Sequence, residues 1–217
     1  MKSLFIKSKD YDILYNKKNY RVREILLFLY AKKVIKINVV EPIRERETVL
    51  DIANQLRKHS ERNYIMFLLG VYSGLRISDI LRLKVQDIKC RNTINIREKK
   101  TGKQRTFKIN PLLKKELDKY AETKDEDDYL IKSREGCNKP IKRSMAYKII
   151  NEVAKKFGLE CIGTHTLRKT FGYHFYKQTK DIVTLQQIFN HSHPSVTLRY
   201  IGINQESIDD AMKKFRI

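Results

Sequence analysis

Cysteine is scarce in this chain and badly placed for cross-linking. Cys90, Cys137 and Cys161 are three in number and contain no C-x-x-C pair, which excludes a disulfide framework and a cysteine-based zinc site. All three are expected as buried thiols. Long apolar runs are also missing. The longest, ILLFLYA at 25–31, is far too short to span a bilayer, and charge interrupts the N-terminal MKSLFIKSKDYDIL every few residues. A cytoplasmic location is expected. No internal repeat or low-complexity tract appears, and acidic residues are heavily outnumbered: 25 Asp and Glu stand against 46 Lys and Arg.

What is present is a chain of 217 residues, 41% hydrophobic and 33% charged, long enough to bury a sizeable core and too apolar to stay disordered. The excess of cations gives a net charge of +21 and a pI near 9.8. Such a molecule repels itself unless a polyanion is its usual partner, and nucleic acid is the first candidate. The charge is unevenly spread. Residues 139–180 carry ten Lys or Arg against Glu152 and Glu160 only, whereas AETKDEDD at 121–128 is acidic and is expected on a solvated loop.

The apolar periodicity predicts helices over 21–36, 48–59, 61–74 with Gly74 as the stop, and 77–84. TINIRE at 93–98 and RTFKIN at 105–110 alternate and flank KKTGKQ, the pattern of a hairpin, with Lys100 at a strand end or on the turn. Further helices are expected over 111–121 with Pro111 in the first turn, 144–158 with a Ser144 cap and a Gly158 stop, 164–177, 181–191, 194–200 and 205–215. The fold class is therefore mainly α (α+β), helical with one small antiparallel sheet.

Several residues suit phosphodiester chemistry, which needs charge neutralised on the nonbridging oxygens, a nucleophile in line and a proton for the leaving oxygen. Arg76 follows an apolar helix and a glycine in SGLRISD, a setting that brings a guanidinium to the lip of a cleft. His165 and Arg168, three apart in HTLRKT, address one spot from one helix. A guanidinium fork suits phosphate better than an ammonium does. Taken singly, each has an ordinary explanation: Arg76 as the ion-pair partner of Asp79, His165 and Arg168 as a capped helix start with a solvated cation, Lys100 as a turn lysine, Tyr200 as one of twelve tyrosines with a phenol that is a poor nucleophile unaided. His193 suggests no role, and His174 reads as a packing or surface residue.

The order of the motifs is more specific than any one of them. GLRISDILRL, a lysine in the following hairpin, HTLRKTFG, and then IFNHSHPSVTLRYIG resemble the tyrosine recombinase (phage integrase) family over roughly residues 48–210. The family's set of Arg, Lys, His-x-x-Arg, His and Tyr matches Arg76, Lys100, His165 with Arg168, His191 and Tyr200. The resemblance implies a helical catalytic domain that cuts and rejoins double-stranded DNA at specific sites. Arg76, Arg168 and His191 would hold the scissile phosphate, Tyr200 would attack it, Lys100 would protonate the leaving oxygen, His165 would assist, and Asp79 would support the set. Neither a metal nor another cofactor is implied. Self-association on DNA is, as a tetramer or dimer of dimers, through a C-terminal helix whose apolar stripe includes Ile208, Met212 and Phe215. The expected division is a short basic segment with one helix over 1–46, too small for the separate DNA-clamping domain usual in the family, and a catalytic domain over 47–217. Two other functions share the sequence pattern: a catalytically silent DNA-binding accessory protein, and a type IB topoisomerase-like relaxing enzyme.

Overall fold

A computed structural model of the chain describes residues 40–99 and 102–203, together with 212, 213 and 216. The expected helix over 21–36, Lys100, and most of the stretch 205–215, including Ile208 and Phe215, lie outside the described residues. The chain divides into two compact units, Met1–Val39 and Val40–Ile217, and the second is the one described. Among the described residues no helix is long and apolar enough to cross a membrane.

Helices α1 (Arg46–His59) and α2 (Glu61–Ser73) are joined through Ser60, which ends the first and caps the second by accepting from the Asn63 backbone N–H. Every residue from Tyr64 to Gly70 is buried, so α2 is the central helix. It stops at Gly74, whose left-handed φ of 62° few other residues tolerate. A short α3 (Ile77–Ile80) leads to a 3-10 turn at Val85–Asp87 and a two-stranded antiparallel sheet, β1 (Thr93–Arg97) with β2 (Gln104–Lys108), in the register Thr93↔Lys108 to Arg97↔Gln104. There follow α4 (Pro111–Ala121), α5 (Arg143–Lys156), α6 (Thr166–Thr179), α7 (Ile182–Phe189) and α8 (Pro194–Tyr200). The mainly helical class with one small antiparallel sheet is the architecture observed.

Two apolar clusters organise these elements. The larger draws on α1 to α5 and the hairpin, with Leu167 of α6 at its edge. The smaller consists of Leu185, Phe189 and Ile201, flanked by Phe171, Phe175 and Tyr200. Helix α6 belongs to both, and close contact makes that possible. A Cβ at Gly70 would stand 2.5 Å from Leu167 Cδ1, and one at Gly172 would stand 2.7 Å from both Ile201 and the Phe189 ring, so glycine lets α6 approach α2 on one side and the end of α8 on the other. The segment before α1 is stapled onto α6: the Ile43 N–H donates to Thr170 Oγ1 at 2.9 Å, and His174 Nε2 donates to the Ile43 carbonyl at 3.0 Å. His174 is thus a packing residue, one of the two readings left open.

Several expectations are corrected. The cysteines are exposed, not buried, because all three fall in connections between elements, Cys90 at a positive φ of 56°. The helix expected over 77–84 ends at Ile80. Backbone bonds from Leu130 to Leu83 (2.8 Å) and from Val85 to Asp128 (2.9 Å) pull the chain out of helical geometry. Helix α5 begins at Arg143 with Lys142 at its cap and no side-chain cap bond, so Ser144 lies inside the first turn. The acidic run is a mostly exposed loop, as anticipated.

Candidate active site

The seam between the two clusters gathers most of the singled-out residues. Arg168, on the first turn of α6, is only 3% exposed. Its Nη1 donates to the Gly74 carbonyl at the end of α2, its Nη2 donates to the Phe189 carbonyl at 3.1 Å, and its guanidinium carbon lies 4.3 Å from the Phe189 ring centre. One side chain therefore ties the stop of α2, two residues before Arg76, to the end of α7, two residues before His191. Burial brings its pKa down to about 10, helped by Arg76 and Arg105 and opposed by the Tyr200 phenol and Glu98. The group remains cationic at neutral pH.

Tyr200 ends α8 and packs in the smaller cluster, its ring edge-on to Phe189 and to His191 at centroid distances of 5.4 and 5.3 Å. Its hydroxyl is 3.4 Å from His165 Nδ1, and Lys169 Nζ lies 5.4 Å from its ring centre. Burial raises the phenol's pKa, while Arg168 and Arg76 beside it pull the other way. The phenol is therefore neutral at pH 7, and the two cations offset only part of what burial costs its ionisation.

The local sequence explains these positions. His165 is the residue before α6 and is itself in the right-handed region, its carbonyl accepting from the Lys169 N–H at 2.9 Å, so the three-residue spacing to Arg168 keeps helical geometry. Asn190, at a left-handed φ of 52°, ends α7 at Phe189, and His191 consequently stands just beyond the helix expected to contain it. Its Nδ1 bonds Thr197 Oγ1 at 2.9 Å, a fully buried hydroxyl on α8. His193 caps α8 by accepting from the Ser195 N–H at 3.3 Å, and Pro194 occupies the position where no N–H is needed.

Arg76 pairs with a residue the sequence reading missed. Its Nη1 lies 2.8 Å from Glu98 Oε2, close enough for an ion pair, yet that buried nitrogen has no aligned hydrogen-bond acceptor among the described residues. Asp79, the partner expected for Arg76, instead accepts from the Lys99 backbone N–H at 3.0 Å. It tethers the hairpin just after β1. Arg105 was also missed; its Nη1 donates to Glu98 Oε1 at 2.9 Å. The signal for Glu98 was available, since the alternation that buries Ile94 and Ile96 continues to position 98 and puts a carboxylate on the core side of a strand. Among the described residues no three His, Cys, Asp or Glu side chains converge as a metal site would require.

Comparison with known proteins defines the class. The chain is 47% identical over 179 residues to a probable integrase/recombinase, YoeC, of Bacillus subtilis strain 168, a match covering 82% of this chain and 98% of that one. Its fold superposes on the crystal structure of XerA recombinase with a TM-score of 0.66 at 22% identity, over 82% of this chain and 67% of the other. It also superposes on the XerH site-specific recombinase in a post-cleavage complex with a palindromic difH substrate, with a TM-score of 0.63 at 19% identity, over 81% of this chain and 53% of the other. The chain spans about three fifths of the length of the archaeal XerA recombinases it also matches. These are the tyrosine recombinases. The phage integrase family model matches residues 43–207, and the chain belongs to that family.

Proposed function

We propose that this protein is a site-specific recombinase that cuts and rejoins double-stranded DNA through a covalent bond to Tyr200, with residues 47–217 as the catalytic part. The observation that supports it is the surroundings of the Tyr200 hydroxyl: His165 Nδ1 at 3.4 Å, the His191 ring beside the phenol, and the Arg168 and Arg76 cations, which oppose the upward pull of burial on its pKa.

The chemistry follows from those positions. Arg76 and Arg168 neutralise the nonbridging oxygens, and His191, whose Nδ1 is engaged by Thr197, adds a bond through Nε2. Tyr200 Oη attacks phosphorus in line, losing its proton to His165 when Nδ1 carries none. The bond from phosphorus to the 5'-oxygen breaks, Lys100 protonates that oxygen, and the products are a 3'-phosphotyrosyl link and a free 5'-hydroxyl. Attack by a 5'-hydroxyl from another strand expels the phenolate and reseals the backbone with no net loss of bond energy. The guanidinium groups meet the phosphate charge, so the reaction is expected to proceed in excess EDTA.

The partner is double-stranded DNA, and the place of action is wherever chromosomal or mobile DNA lies, the nucleoid of the cytoplasm. Assembly as a tetramer on DNA through the stripe Ile208, Met212 and Phe215 belongs to the same proposal; Met212 is exposed. The test is to produce the chain in cells, denature the lysate in EDTA and sequence the DNA that stays covalently attached to protein. Adducts at defined sites are expected. DNA occupancy without adducts would identify a silent binding protein, and adducts that turn over on a lone site with relaxation alone would identify a topoisomerase-like enzyme.

A further inference from the structure

Glu98, directly after β1, is 2% exposed, as buried as Asp79, and continues the alternation that turns Ile94 and Ile96 to the core. Its two oxygens serve different arginines: Oε1 accepts from Arg105 Nη1 at 2.9 Å, and Oε2 lies 2.8 Å from Arg76 Nη1. The carboxylate side chain is 1% exposed and each guanidinium-bearing side chain is 16% exposed, so the acid sits behind the two cations. Arg105 also reaches across the seam, its Nη2 donating to the Gln187 carbonyl of α7 at 3.4 Å. The backbone of Glu98 closes the hairpin turn, its N–H donating to the Lys103 carbonyl at 2.9 Å and its carbonyl accepting from the Gly102 N–H at 2.8 Å.

Stability alone does not account for a charge at this place. A buried carboxylate between two arginines gains little over a well-packed apolar side chain, because desolvation offsets the attraction, and Ile94 and Ile96 demonstrate that apolar side chains fit this face. What an acid provides and a leucine does not is direction. It draws a guanidinium to a fixed point and offsets the mutual repulsion of Arg76, Arg105 and Arg168.

We propose that Glu98 is a positioning residue of the phosphate clamp: from the core side its carboxylate holds Arg76 at the cleft and, through Arg105, locks the hairpin against α7. The assignment rests on the cleavage reading above. It makes a prediction that runs against simple electrostatics. Removing a negative charge beside the DNA phosphates leaves affinity equal or stronger, yet the cleavage rate falls, because Arg76 is no longer held in register. A displacement of the order of 1 Å can cost about a hundredfold in rate.

The experiment uses the full chain and a nicked duplex bearing a site from the adduct map, which traps the cleaved state. Single-turnover cleavage at saturating protein and DNA affinity by gel shift are measured for wild type, Glu98→Gln, Arg76→Ala and the double variant. Glu98→Gln is expected to bind at least as tightly as wild type and to cleave roughly tenfold to hundredfold more slowly. In the Arg76→Ala background the same change is expected to slow cleavage no further, the signature of two residues acting through one contact. Equal factors in both backgrounds, or a Glu98→Gln rate within twofold of wild type, overturn the assignment and leave the cleavage reading intact. If Glu98→Gln fails to fold, Glu98→Asp keeps the charge and withdraws it by one methylene. A wild-type rate there also overturns the assignment, and a loss confined to rate supports it. A wild-type chain that forms no adduct overturns both readings.

Discussion

Arg168 performs two tasks at once, and the sequence revealed only one of them. The spacing of HTLRKT aligned it with His165, which suggested a phosphate ligand, but its 3% exposure and its two carbonyl acceptors, Gly74 and Phe189, depend on residues 94 and 21 positions away. No local pattern encodes them. A lysine in its place keeps the charge but cannot reach both carbonyls and lie over Phe189. Arg168→Lys is therefore expected to bind DNA within about threefold of wild type and to cleave at least a hundredfold more slowly, the scale of losing about 2.7 to 4 kcal/mol of preorganised stabilisation. One carbonyl left unpaired also costs about 1–3 kcal/mol of stability, visible as a lower Tm. Single-turnover cleavage of a nicked duplex measures the first effect, and a rate within threefold of wild type would refute the clamp role.

Helices α6, α7 and α8 carry Arg168 and Tyr200, flank His165 and His191, and meet on very little apolar surface: Leu185, Phe189 and Ile201 are the fully buried members of their cluster. Most of these elements were legible, since apolar periodicity, the Asp181 and Pro194 starts and the Gly74 stop all act within one turn of their helix. Ends governed by distant partners were not. The strand-like bonds of Leu83 and Val85 to Leu130 and Asp128 cut α3 short, and the αL turn at Asn190 moved His191 off its helix. Gly172 tests how tightly this trio must fit. Its φ is an ordinary one, so alanine is resisted by contact alone, 2.7 Å from Ile201 and Phe189. Overpacking of that kind costs about 1–3 kcal/mol, or roughly 2–4 °C of Tm per kcal/mol for a chain of this size. Gly172→Ala is expected to melt lower and to cleave more slowly, because Phe189 supports both Arg168 and Tyr200. Thermal melting beside the cleavage assay checks this, and an unchanged Tm would show that the trio has slack.

Across the molecule, a net charge of +21 suits a polyanionic partner, and the candidate residues gather at one seam around the buried Arg168. The six candidate residues were legible as an ordered set of motifs. The structure describes five of them, and it assembles those around one seam; Glu98 was missed although the alternation of β1 runs on to position 98, and its pairing with Arg76 and Arg105 emerges only once the hairpin is docked. The account stands or falls on which atom becomes attached to DNA. The most direct measurement is mass spectrometry of the protease-digested adduct from wild type and Tyr200→Phe, trapped on the same nicked duplex in EDTA. Wild type is expected to yield the nucleotide-bearing peptide that contains Tyr200, linked through a 3'-phosphate, and the variant to bind the duplex and yield no adduct. A covalent adduct that persists in Tyr200→Phe, or a phosphate carried on any other residue, would contradict the assignment of Tyr200 as the nucleophile.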